Sequence, residues 1–172
     1  MEFRFSPIKS KEELLAAIQY LHIECAKLCK QAFGRYLPVA GNIGVFSHFE
    51  DEFRFLTALR QELTDEKGNW NAKYYRLHEP IMIEANGGIP QATYTYLYTR
   101  RPDADKPEVG DIDFVIATEE FSTLKAAASQ ADSEINGVQV SYRPDLNMVC
   151  LSHPDSDVLP YITDTYLSQR SL

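Results

Sequence analysis

At 172 residues the chain is long enough for one domain with its own core and short for two. Twenty-five acidic against 17 basic side chains give a formal charge of -8, which repels phosphate backbones and anionic lipid heads and so excludes nucleic acid and membrane as default partners. With 44% hydrophobic and 12% aromatic residues, global disorder is excluded as well.

Arg100 and Arg101 form the only compact basic cluster, too small for a nucleic-acid footprint. Cys25 and Cys29 stand one turn apart in a helical stretch. They read as buried apolar thiols, because no second pair of soft ligands matches them as a metal knuckle. With Cys150 the count is odd and sparse, which argues for a reducing, cytoplasmic setting and against a disulfide framework. Neither a secretory signal nor a membrane helix is expected, since Met1–Leu15 lacks an apolar run behind a basic start and no later run approaches a membrane span.

In chain order, Ser10 and Glu13 form a capping box before a helix at 11–33, whose apolar residues Leu14, Ile18, Leu21, Cys25, Leu28 and Ala32 keep helical spacing until Gly34. His22 within it reads as a surface or boundary histidine. A strand at 42–47 leads to a second capping box, Ser47 and Glu50, opening a helix to about Leu63; Thr64–Ala72 has the composition of a loop. Lys73–Ala85 and Gln91–Arg100 form a hairpin about Asn86-Gly87-Gly88, with Pro80 marking an edge or a bulge. Asp111–Ala117 is a strand, Thr118 caps a helix to about Gln130, and Val138–Arg143 and Asn147–His153 are further strands. Val158, Tyr161, Ile162 and Tyr166 predict a last helix at 157–168. A strand–helix–hairpin unit therefore occurs twice, at 42–100 and 111–153, within a single α+β domain.

Several of these segments match something known. Tyr75-Arg76-Leu77-His78-Glu79-Pro80-Ile81 resembles the aromatic–basic–Leu-His-Glu-Pro segment of the small bacterial YecM-type proteins, a branch of the vicinal oxygen chelate superfamily with the glyoxalases, ring-cleaving dioxygenases and bleomycin-resistance proteins. Asp111-Ile112-Asp113-Phe114-Val115 is similar to the strand opening that family's second module, and Ser152-His153-Pro154 to an aromatic-His-Pro step before its final helix. The resemblance, over roughly residues 40–165, implies two βαβββ modules forming a cup-shaped mixed sheet with a ligand, and often a divalent metal, on its concave surface. It also implies metal ligands, typically His and Glu, on the first and fourth strands of each module. Here Asn42 and Asp111 stand where histidines are expected, and Tyr98 and Thr99 where a carboxylate is expected. Asn is a weak neutral ligand, so the implied metal site is degraded, although Asp111 and Asp113 together would suit a hard ion with waters.

Strand parity turns Ile112, Phe114 and Ile116 toward a helix and Asp111 and Asp113 into the cup, with Asn42 on the corresponding inward face; a solvated Asp pair at an open mouth is the plainer alternative. His78 and Glu79 are adjacent, so they oppose each other unless Pro80 marks a bulge; Glu79 among apolar neighbours is the stronger acid–base candidate, an edge-strand pair the plainer one. Tyr94, Tyr96 and Tyr98 alternate onto one face, where they stack on a planar ligand or merely reflect β-propensity. No phosphate loop or nucleophile elbow is present, which disfavours phosphoryl and acyl transfer. The expected function is small-molecule binding at Asn42, His78, Glu79, Tyr96, Tyr98, Asp111 and Asp113, with no resident cofactor identified and a divalent metal the one candidate. The alternatives are a metal-dependent lyase, isomerase or dioxygenase, and an interaction module whose leading helix docks a partner or a second copy in a homo-oligomer.

Overall fold

The computed structural model describes residues 2–68 and 73–166. Helix α1 (Lys11–Phe33) begins where Ser10 Oγ accepts the Glu13 amide at 3.1 Å and ends at Gly34, whose left-handed φ of 73° lets its N–H reach the Lys30 carbonyl. It buries Leu14, Ile18, Leu21, Cys25, Leu28, Cys29 and Ala32. Burial raises both thiols well above the usual cysteine range, as expected of cysteines that fill space.

The first module comprises β1 (Val39–Phe46), α2 (Glu50–Leu63), β2 (Thr64–Gly68), β3 (Tyr75–Ile83) and β4 (Ala92–Arg100). The second comprises β5 (Gly110–Val115), α3 (Thr118–Ala128), β6 (Glu134–Ile135), β7 (Val138–Arg143), β8 (Met148–Ser152) and β9 (Val158–Thr163). Among the described residues these form one nine-stranded mixed sheet in the order β2-β3-β4-β1-β5-β9-β8-β7-β6. β1 runs parallel to β4 and β5 parallel to β9, while β1 and β5 pair antiparallel at the centre. Outward from that centre both halves repeat one order: β1, β4, β3, β2 on one side and β5, β9, β8, β7 on the other.

Two elements differ from the sequence expectation. Residues 158–163 are strand β9 rather than the start of a helix at 157–168, and residues 167–168 of that expected helix lie outside the described residues. Val158, Tyr161 and Ile162 fit helical spacing, but Val158, Pro160 and Ile162 also fit a strand alternation, and the free edge of β5 decides between them. Pro160 pairs across to Ile112 and lies beyond the β8 register, where a missing N–H costs little. Thr64–Gly68, expected in a loop, is β2, paired with β3 at Thr64–Leu77 and Gly68–Tyr75; residues 69–72 lie outside the described residues.

The second capping box also differs. Ser47 donates to the Arg100 carbonyl at 2.6 Å, and Glu52 instead serves the helix start by accepting the His48 amide at 2.8 Å. Buried Glu52 further accepts from Ser6 Oγ and the Ile8 amide, tying the N-terminal segment to α2. Thr118 is the first helical residue of α3 rather than its cap; the cap position is Ala117, with no side-chain hydrogen bond.

All three helices cover one face: α1 over β9, β5 and β1, α2 over β4, β3 and β2, and α3 over β7 and β8. Ile43, Val45, Leu97, Ile112, Phe114, Val149, Leu151, Val158 and Ile162 meet them in the core. Each such side chain contributes roughly 1.5–3 kcal/mol by burial. His22 is buried here rather than at the surface, its Nδ1 within 2.7 Å of the Tyr94 hydroxyl, and burial lowers its pKa.

Candidate functional site

Because strand side chains alternate, the residues between these core positions point to the opposite, concave face. There they line an open-sided cavity of about 530 Å³. Asp111 and Asp113 of β5 line it together with Tyr98 of β4, Tyr161 of β9, Cys150 of β8, Phe46 and Arg100.

A tight fit occurs at Gly44, which pairs with Asp111 across the central strands and with Tyr98 on the other side. A Cβ at Gly44 would overlap the Asp111 carboxylate and touch the Tyr98 ring at 3.0 Å, so only glycine leaves Asp111 its place. Asp111 is only 5% exposed, and its Oδ1 has no hydrogen-bond partner. Burial raises its pKa to about 7; Asp113 adds to the rise, while Lys73, Arg100 and the Gly44 amide oppose it. The pair is therefore not solvated at an open mouth, because Asp113 is buried too, at 2% exposed. Asn42 is fully buried two residues from Gly44, with neither Oδ1 nor Nδ2 hydrogen-bonded.

The walls supply aromatic rings and cations. The Arg100 guanidinium lies 3.7 Å from the Phe46 ring centre, and Lys73 Nζ lies 4.6 Å from that of Tyr98. Arg143 is committed to Asp145 by two bonds of 3.1 and 2.9 Å and reaches Tyr161 Oη at 3.4 Å. Burial raises the Tyr98 and Tyr161 hydroxyls and lifts the Cys150 thiol to about 11, so all three stay protonated at neutral pH. The arrangement can accept a donor or exchange a proton at Asp111, hold rings against tyrosines and meet an anion at Arg100; it offers no thiolate nucleophile.

Of the residues singled out from sequence, Asp111, Asp113 and Tyr98 line the cavity. Asn42 is buried, and Tyr96, which pairs with it in register, is half-buried outside the cavity lining. His78 and Glu79 do lie in a bulge, between the register points Arg76–Tyr96 and Ile81–Tyr94, yet both are exposed, and His78 Nε2 contacts Asp65 at 3.2 Å rather than the Asp pair. The tyrosine row is split by a break in the alternation of β4 between Tyr94 and Leu97, both fully buried: Tyr94 turns to α1 and His22, while Tyr98 faces the cavity. His153 accepts the Asp155 amide in a turn. Lys73, Arg143 and Tyr161 were not found from sequence. Tyr161 was hidden by the helical reading of 157–168, whereas a period of two would have placed it beside Leu159 on the inward face.

The donor set does not suit a transition metal. Among the described residues no three His, Cys, Asp or Glu side chains converge on one point, and the four histidines lie on the helix-facing side, in the α2 approach, on the β3 bulge and in the turn after β8. No helix among the described residues is long and apolar enough to cross a membrane.

No family model and no curated protein matches the chain. A solved structure described as "Structural Genomics, Protein EC4020" aligns over 99% of this chain and 99% of that one, with a TM-score of 0.55 and 11% sequence identity. At that identity the likeness shows a shared fold and nothing about activity.

Proposed function

We propose that the chain is a small-molecule-binding protein of the vicinal oxygen chelate type, its ligand held in the concave cavity without a metal of the usual superfamily kind. The observation that carries this reading is the buried Asp111–Asp113 pair lining a cavity of about 530 Å³ that also has aromatic walls. Two buried carboxylates are unfavourable for stability alone, and a ligand donor would satisfy Asp111 Oδ1. A thermal-shift screen of small polar metabolites tests it. Hits that stabilise the protein and lose their effect in Tyr98→Ala and Asp111→Asn support the reading; hits that survive both substitutions contradict it.

A second reading, proton-transfer catalysis on the bound molecule, is favoured by the Asp111 pKa of about 7. It requires solvent deuterium to enter a bound hit with wild-type protein and not with Asp111→Asn. Docking through the leading helix has less support, because the apolar face of α1 is already packed against the sheet and Leu15 is its one large hydrophobic left exposed.

A further inference from the structure

A second pocket, of about 380 Å³, lies where α2 meets the ends of β3 and β4. Its lining contains Arg60, Lys73, Arg100 and Arg101 and, among the described residues, no carboxylate. In a chain of net charge -8, four cations lining one pocket are the reverse of the prevailing surface, although Lys73 and Arg100 also line the concave cavity beside Asp111 and Asp113. Among the described residues their close contacts are with aromatic rings, which do not cancel a charge. Arg60, 8% exposed, stacks on the Tyr75 ring at 3.6 Å, Lys73 lies over Tyr74 and Tyr98, and Arg100 lies over Phe46. None of the four has a side-chain ion pair or hydrogen bond among the described residues. The Thr57 hydroxyl and the Arg100 Nε and Nη2 are buried with no hydrogen-bond partner. Lys73 and Arg100 also act on Asp111 of the adjoining cavity, which burial makes resistant to ionising.

A structural role accounts for one of these side chains: Arg60 sits in the last turn of α2, where a cation suits the helix terminus, and it packs on Tyr75. It does not account for three further cations converging on the same space, which repel one another in a partly enclosed site. We propose that this pocket is an oxyanion site that takes the phosphate group of a small molecule. A dianionic tetrahedral group offsets several cations at once, and guanidinium forks with a hydroxyl match its oxygens. The pocket's volume of about 380 Å³ has room for such a group together with the body of a small molecule.

The test is calorimetric titration of the full chain with inorganic phosphate and with glycerol 3-phosphate, ionic strength being held constant with sodium chloride. Saturable one-to-one binding of either supports the site; tighter binding of the ester points to a phosphorylated metabolite, tighter binding of the free ion to phosphate itself. Arg60→Gln should weaken binding about tenfold, as expected for one lost charge-assisted contact. Arg101→Gln, at an exposed position that does not endanger folding, should weaken it by a similar factor. Arg35→Gln, which removes the same charge from a side chain paired with Glu120, should leave it unchanged. No saturable binding up to about 20 mM, far weaker than a built site, overturns the proposal. So does equal weakening by Arg35→Gln, or affinity undiminished in the folded Arg101→Gln protein.

Discussion

Asp111 sits where its charge is costly. Its folded pKa of about 7 lies above the ordinary 3.8, so the folded state holds this proton more tightly than the unfolded chain does. The contribution to stability is fully present below the ordinary value and is lost as pH rises through about 7, a loss on the order of 4 kcal/mol. Denaturant unfolding across that window should show a more negative slope of stability with pH in the wild type than in Asp111→Asn, in which the lowered pKa values of His22 and His48 remain; parallel slopes in the two proteins would show that Asp111 ionises normally. Gly44→Ala should displace the Asp111 carboxylate, destabilise the fold by about 1–3 kcal/mol and abolish ligand shifts in the thermal screen. At this scale the sequence was partly legible: the alternation Asp111-Ile112-Asp113-Phe114 placed both carboxylates on the inward face. What it lacked was curvature, since only the flanking strands make that face deep enough to bury them.

Among the elements, the clearest case is Glu52. It accepts three hydrogen bonds, from Ser6, Ile8 and His48, and so joins the segment before α1 to the start of α2. Glu52→Ala should destabilise the protein by about 3 kcal/mol, measured by chemical denaturation, because buried donors lose a charged acceptor; a change below about 1 kcal/mol, the surface range, would mean the network is solvated. The capping-box spacing points to Glu50 for this role, three residues after Ser47, but Ser47 is drawn off to the Arg100 carbonyl. Helix α1 was readable because its caps and its apolar spacing agree. Strand β9 was not, because its six residues satisfy both periodicities and only pairing with β5 separates them.

For the whole molecule, the sequence's twice-used strand–helix–hairpin unit is the visible part of two βαβββ halves joined back to back through β1 and β5. β9 of the second half and β2 of the first have the sequence patterns of a helix and a loop, so the symmetry is recognisable in the sequence while its completion is not. Helix α1 spans the seam, covering strands of both halves, and Leu21 lies against Gly110 where β5 crosses β1. Leu21→Ala should therefore cost about 2–5 kcal/mol and lower both halves together in a single unfolding transition; separate transitions would show that α1 does not unite them.

The concave cavity lies on the opposite side of the same seam, and its occupancy is the central claim. The direct measurement is a crystal structure of the protein with its strongest thermal-shift hit. The account predicts ligand density on the concave face, with a donor at Asp111 Oδ1 and the body of the molecule against Tyr98 and Tyr161. Density elsewhere, with the cavity holding only solvent, would contradict it.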